Sequence, residues 1–218
     1  MKLPKEKDAF HYENNFYLSC NTSRIGKFMA HYELFKMAAN IPGSIIECGV
    51  FKGISLIRFA SFRNLGISSS KKIIGFDTFG KFPKTDFKAD QKMREKFIED
   101  SGIVGISIKE LKKILQRKKL DQKIELVKGD VVQTIPEYVK KHPKLKISFL
   151  NLDTDVYEPA VTILEHLYPR LKKGGILALD DYGVFPGETK AVNEYFKGKK
   201  IKIKKFPFSN TPSYIIKQ

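Results

Sequence analysis

The sequence predicts an α/β protein whose mostly parallel sheet binds its ligand at the carboxyl ends of the strands. Two stretches carry that prediction. In the first, Lys146 to Tyr182, an apolar run from Ile147 to Leu152 ends in Asp153. Val161, Leu164, Leu167 and Leu171 then follow near a 3.6-residue period, and Gly174 and Gly175 stand where a helix would stop. A second apolar run, Ile176 to Leu179, ends in Asp180 and Asp181. This is a βαβ unit, and its right-handed crossover makes the two strands parallel and brings both ends to one sheet edge. In the second stretch, the apolar SIIECGV, Ser44 to Val50, passes through FKGIS into a helical LIRFASFRN. Gly49 and Gly53 therefore bracket a strand-to-helix turn, where glycine lets the backbone approach a ligand and the helix start offers free N–H groups.

The remaining elements follow in order. Residues 1–20 read as an arm, with Phe10, Tyr12, Phe16 and Tyr17 for packing on the body or on a partner subunit, and residues 21–218 as one domain. An N-cap signal at Asn21 to Ser23 opens an amphipathic helix through Ile25, Phe28, Met29, Tyr32, Phe35 and Met37 to the break at Pro42–Gly43. Arg24, Lys27 and His31 lie on or beside it, with packing or surface exposure the plainer role for His31 and substrate contact the alternative. A second strand, KIIGF, ends in Asp77. The interval from Gly53 to Asp77 is close to the roughly 20 residues after which a nucleotide-binding half places its ribose-binding acid. The segment from Thr78 to Gly105 looks irregular and overhangs that strand end, as a lid does. Ser107 and Glu110 spell a capping box for the next helix. Ile124 to Val127 make a third strand, followed by Gly129–Asp130 and a short helix near Pro136. After Tyr182 comes a helix with Ala191, Val192, Tyr195 and Phe196 inward, then two closing strands, Ile201 to Phe206 and Ser213 to Lys217, as a hairpin.

Asp153, Asp180 and Asp181 converge at one strand edge in this reading, and three carboxylates there repel one another unless a cation lies among them. Oxygen donors without Cys or His favour Mg²⁺, Mn²⁺ or Ca²⁺ over zinc. Capping of the following helices and turns is the plainer role for any one of them.

Composition bounds the rest. The chain has 218 residues, 42% hydrophobic and 29% charged, ordinary for one globular domain. No apolar run approaches the roughly 20 residues of a membrane span, and MKLPKEKDAF lacks the apolar core of a signal peptide. Cys20 and Cys48 make no disulfide framework, so a reducing cytoplasm is the expected location. The net charge of +16, carried largely by lysine runs, fits either a solvated surface or attraction of an anionic partner. No nucleic-acid-binding motif accompanies it.

Taken together, IIECGVFKG, GFDTF, LVKGD, LNLDTDVYEP, HLYPRLKKGGILALDDYG and PGETKAVNEYF resemble the macrocin O-methyltransferase family, sugar methyltransferases dependent on S-adenosylmethionine and Mg²⁺. The resemblance runs from about Arg24 to Phe196, and DTDVYEP and GGILALDDYG are its most specific parts. It implies a class I methyltransferase fold, a Rossmann-like three-layer sandwich on a mostly parallel seven-stranded sheet with the last strand antiparallel. It implies the methionine end of S-adenosylmethionine at Glu47, Gly49, Val50, Phe51 and Gly53, with Ser55 opening the next helix. Ribose then falls at Asp77 and Thr78, adenine near Asp130 and Val131, and a divalent ion, Mg²⁺ or Mn²⁺, on Asp153, Asp180 and Asp181, with Asp153 also beside the cofactor. Where the family tends to have Ser-Phe-Glu-Gly-Leu-Pro after the ribose acid, this chain has Thr78-Phe79-Gly80-Lys81-Phe82-Pro83, which suits a more anionic acceptor.

The implied reaction is methyl transfer to a sugar hydroxyl of a glycoside or nucleotide-linked sugar. A divalent cation lowers the pKa of such a hydroxyl, and transfer needs the oxygen in line with the sulfonium methyl. Asp153 can ligate and accept the proton. Asp155 is the second candidate base, with capping of its helix as the plainer role. Two alternatives stand beside this: the same chemistry on a catechol or other vicinal diol, and a non-catalytic basic cofactor-binding module. Homo-oligomerisation is compatible with all of these.

Overall fold

Apolar runs that alternate with amphipathic helices can bury both faces of a sheet, and the fold does so with helices on each side. The computed structural model describes residues 3–67 and 70–218; the first two residues of the arm lie outside the described residues. Strands β1 (Ser44–Cys48), β2 (Ile73–Asp77), β3 (Ile124–Lys128), β4 (Ile147–Leu152), β5 (Leu171–Leu179) and β6 (Ser213–Ile216) form one sheet in the order β3-β2-β1-β4-β5-β6. All neighbours are parallel except β5 and β6. The order reverses at β1, which pairs β2 on one side and β4 on the other, and such a switch point opens a crevice at the carboxyl edge.

The helices are α1 (Ala9–Ser19), α2 (Thr22–Met37), α3 (Ile54–Phe62), α4 (Lys88–Ser101), α5 (Ile108–Arg117), α6 (Val131–Lys141), α7 (Tyr157–His166) and α8 (Pro186–Tyr195). Ile46, Phe76, Leu150, Leu152, Leu177 and Leu179 turn to one core with α6, α7 and α8. Ile45, Ile73, Phe149, Ile176 and Ala178 turn to a second with α2, α3 and α5. Because both faces are covered, β4 is buried along its whole length, and its sequence is a continuous apolar run rather than an alternation. Each such fully buried aliphatic or aromatic side chain contributes roughly 1.5–3 kcal/mol.

Several expectations need correction. The sheet has six strands, not seven, among the described residues. Ile201 to Phe206 is not a strand: its backbone meets the sheet at an isolated bridge, Lys204 to Tyr214, and Phe206 stacks on the Tyr214 ring. Gly174 and Gly175 do not end a helix: α7 stops at His166, and both glycines lie inside β5, which opens at Leu171. A register irregularity between Ile147 and Phe149 absorbs the local backbone change there. The helix near Pro136 is longer than expected and has Pro136 within it. The arm is helical, but no side chain of α1 is buried, and Phe10 and Leu18 are 76% and 86% exposed.

The segment from Thr78 to Gly105 is not irregular either, since α4 occupies half of it. That helix is polar and buries only Asp90. Hydrogen bonds attach it, beside the ring contacts of Phe97 with Phe51, Phe82 and Phe185. Asp90 accepts from the N–H of Gly187 at 2.7 Å and of Tyr157 at 3.0 Å, so one carboxylate serves the first turns of α8 and α7. A Cβ on Gly187 would lie 2.0 Å from Asp90 Oδ2, which is why glycine stands there. Glu158 of α7 returns the favour by accepting from Asp86 N–H at 2.9 Å, Phe87 N–H at 3.2 Å and the Thr85 hydroxyl at 3.0 Å.

Asp90→Ala should leave two N–H groups unpaired and cost about 2–6 kcal/mol, at about 1–3 kcal/mol per orphaned group. Thermal unfolding and amide exchange would read this as a lower Tm with faster exchange across residues 88–101. An unchanged Tm and unchanged exchange would mean that α4 is held by something other than Asp90.

Candidate active site

Strand register builds the site. Cys48 pairs with Leu152, and Leu152 with Leu179, so β1, β4 and β5 end level with one another. The ladder continues for one bond: Asp153 N–H donates to Cys48 O at 3.0 Å and Asp180 N–H to Leu152 O at 2.9 Å. Asp153, Asp180 and Asp181 are thereby gathered, with one carboxylate oxygen from each within 4.8 Å of the others. Asp180 is buried, and the other two are half-buried at the floor of a cleft of about 650 Å³.

The other wall of the cleft is the turn after β1. Gly49 and Gly53 have φ of +93° and +80°, left-handed values that glycine adopts without strain. At Gly49 the approach is also close, since a Cβ would stand 1.6 Å from Asp153 O. Asp77 staples this turn. Its Oδ2 accepts from the N–H of Val50 at 2.8 Å and Phe51 at 2.9 Å, and its Oδ1 from Phe79 N–H at 2.6 Å. Asp130 accepts from Val132 N–H at 3.0 Å and caps α6. Val50, Phe51, Ser55, Asp77, Thr78, Asp130, Val131, Asp153, Asp155, Asp180 and Asp181 all line the cleft together with Gly49. Glu47, before the turn, and Gly53, at its end, lie outside the lining.

Glu47 is fully buried, and among the described residues neither carboxylate oxygen has a partner at full hydrogen-bond geometry, Ser55 being the nearest side-chain donor. Burial pushes its pKa up to about 8; the nearby Ser55 side chain opposes this, and the charges of Asp180 and Asp77 add to it. An orphaned acid behind a glycine turn is a ready partner for a cationic amino group, so the residues fit the methionine end of S-adenosylmethionine. The three oxygen donors likewise fit a hard divalent ion.

The acids around the floor are crowded. Burial pushes Asp153 well up, and Asp180 pushes it further. Asp181 is raised by burial and then by Asp155 and Asp180. Asp155 rises to about 7 through burial and the charge of Asp153. It does not cap α7, whose N-cap position is Val156 with no side-chain cap, and instead its carboxyl meets that of Asp181. Asp180 goes the other way: burial would raise it, but the Lys27 charge and the His31 contact hold it below the usual carboxylate range.

Four participants, Lys27, His31, Arg58 and Glu188, have partners that the sequence does not show. Lys27 Nζ donates to Asp180 Oδ2. His31 Nε2 lies 3.3 Å from Asp180 Oδ1, and its Nδ1 is 3.0 Å from Arg58 Nη1. A guanidinium only donates, so Nδ1 accepts and the proton sits on Nε2, facing Asp180. Burial lowers the pKa of His31, in keeping with this neutral tautomer. His31 is thus neither exposed nor simple packing. Glu188 Oε1 accepts from Asp181 N–H at 3.1 Å and fixes that residue's backbone. The i, i+4 spacing of Lys27 and His31 was the available signal, since it puts both on one face of a helix.

A family model described as Macrocin-O-methyltransferase (TylF) matches residues 21–211. Among curated proteins, the chain is 26% identical over 152 residues to the 8-demethyl-8-(2,3-dimethoxy-alpha-L-rhamnosyl)-tetracenomycin-C 4'-O-methyltransferase of Streptomyces olivaceus, covering 68% of this chain and 56% of that protein. It is 27% identical over 159 residues to the mycinamicin III 3''-O-methyltransferase of Micromonospora griseorubida, covering 71% of this chain and 61% of that protein. The match thus spans less than two thirds of the length of these relatives. Among solved structures, the calicheamicin methyltransferase CalS11 superposes with a TM-score of 0.81 at 26% identity, over 99% of this chain and 86% of that one.

Glu47 generates a pH test on the ligand-free protein. With a folded pKa of about 8 against 4.5 unfolded, the native state holds the extra proton between those values. Stability therefore falls as pH rises through that window. The Tm of the wild type should drop relative to Glu47→Gln between pH 5 and pH 8. Parallel Tm curves for the two proteins would show that Glu47 is ionised throughout.

Proposed function

The chain belongs to the macrocin O-methyltransferase family, and from that membership we propose that it transfers a methyl group from S-adenosylmethionine to a sugar hydroxyl, on a glycoside or nucleotide-linked sugar, with a divalent cation at the acidic cluster. The single observation that carries this is the alignment of Asp153, Asp180 and Asp181 at the ends of adjacent strands, beside the glycine turn. The tetracenomycin relative carries a rhamnosyl group in the name of its substrate, and CalS11 is also described, in its ligand-free form, as a TDP-rhamnose 3'-O-methyltransferase.

The parts divide as follows. Glu47 and the Gly49–Gly53 turn hold the amino-acid end of the cofactor. Asp77, with both oxygens already set by backbone donors, presents its remaining lone pairs to the ribose, and Thr78, Asp130 and Val131 border the base. S-adenosylmethionine supplies an electrophilic methyl group on its sulfonium. A divalent ion held by Asp153, Asp180 and Asp181 supplies Lewis acidity, which lowers the pKa of an alcohol. Asp153 or Asp155 receives the acceptor's proton on a carboxylate oxygen; both line the cleft. Asp181 is kept in place by Glu188, and Asp180 by His31. Holding the oxygen in line with the methyl contributes to rate, and α4 helps exclude water by bringing Phe97 over the cleft.

A second reading, an aromatic or other vicinal diol as acceptor, is favoured by Phe51, Phe82 and Phe97. These rings touch one another, with centroids 5.0–6.4 Å apart, and line the same cleft.

Labelled S-adenosylmethionine with Mg²⁺ and a panel of nucleotide sugars, deoxysugar glycosides and catechols tests both readings. Label should enter a sugar, and exhaustive chelation should abolish transfer. S-adenosylhomocysteine should still raise the Tm after chelation, by mass action on the native state, and NAD should not. Asp153→Ala should lower kcat/KM by about 10²-fold or more, the scale of lost general-base catalysis, whereas Asp181→Asn keeps an oxygen donor and retains part of the activity. Full turnover after chelation, or by Asp153→Ala, would return these aspartates to a structural role.

A further inference from the structure

The acidic cluster already contains a cation, and it is part of the chain. Lys27 extends from α2 to the floor of the cleft, where Nζ donates to Asp180 Oδ2. Asp153 and Asp181 are close enough to attract the same ammonium. One turn further along α2, His31 faces Asp180 Oδ1. Both oxygens of Asp180 are therefore engaged by α2, in the residue that completes the oxygen set with Asp153 and Asp181.

We propose that Lys27 is a tethered counter-ion that holds Asp180 in the metal-free protein and leaves it when a divalent ion binds, so that lysine and ion compete for one carboxylate. This rests on the reading of the cluster as a cation site. Two cations on one carboxylate oxygen repel strongly where water screens them little. One of them must move, and the structure shows which has the freedom. The carboxylates are fixed by strand register. His31 is 1% exposed and locked between Arg58 and the Phe59 ring. The Lys27 side chain is 28% exposed, lines the cleft and ends a flexible four-carbon stem. Its departure would put a free ammonium into the space where the acceptor lies, and would couple the position of α2 to the occupancy of the metal site. A lysine that served folding alone would keep its contact whether or not the ion was present.

Two measurements test this. The first is titration of Mn²⁺ into the full chain, with free Mn²⁺ read by electron paramagnetic resonance, for the wild type, Lys27→Met and Lys27→Arg. Lys27→Met should bind Mn²⁺ at least about tenfold more tightly, the effect of removing a competing charge at short range, and Lys27→Arg should not. The second uses the wild type only, so it stands even if the variants fold poorly: amine acetylation followed by mass spectrometry, with and without Mn²⁺. Labelling of Lys27 should rise on adding Mn²⁺, while labelling of Lys109, which is exposed on α5 and does not line the cleft, should stay the same. Unchanged labelling of Lys27, or equal or weaker binding by Lys27→Met when the wild type does bind, overturns the proposal alone. Absence of Mn²⁺ binding in both proteins overturns it together with the reading of the cluster as a cation site.

Discussion

The parallel ladder that joins β1, β4 and β5 is the constraint on which the site depends. Two hydrogen bonds past the formal strand ends, Asp153 to Cys48 and Asp180 to Leu152, decide where the acids stand. A one-residue slip in either pairing would turn an aspartate to the opposite face and into an apolar core. The apolar runs are therefore more than filling. Leu150 and Leu152 on one face and Phe149 on the other fix the register, and the register fixes the chemistry.

What the ladder gathers is electrostatically unfavourable by itself. Asp153, Asp155, Asp181 and Glu188 are all pushed towards their protonated forms, chiefly by burial and then by one another. Asp180 alone is held ionised, and it is the one with Lys27 and His31 against it. Burying a carboxylate without a partner is costly, so α2 supplies a partner in trans across the cleft. The same logic applies to Asp90, where two helix N-termini and a buried carboxylate satisfy one another. In both places a polar contact does what an apolar face does elsewhere in the fold.

That difference explains what the sequence made legible. Buried parallel strands read as apolar runs, and an acid at the end of each is visible at once, so Asp77, Asp153, Asp180 and Asp181 were found together with the glycine turn. The capping box at Ser107 and Glu110 is local and was read correctly, down to both of its hydrogen bonds. Elements held by polar contacts were not legible. Helix α4 has too few apolar residues for a periodicity, and its anchor, Asp90, looks like any surface acid until α7 and α8 are placed against it. Lys27 and His31 were visible as positions on α2, but their partner is some 150 residues away in the chain and no local pattern points to it. Gly174 and Gly175 misled for the opposite reason, since glycine marks a helix end and an irregular strand alike.

The central claim is that strand register makes Asp153, Asp180 and Asp181 one cation site beside the cofactor turn. The most direct measurement is a crystal structure with Mn²⁺ and S-adenosylhomocysteine, with the ion located by its anomalous scattering. The account predicts one peak ligated by oxygens of these three residues, and the nucleoside against Asp77. A peak elsewhere, with Asp180 still bound to Lys27, would contradict it.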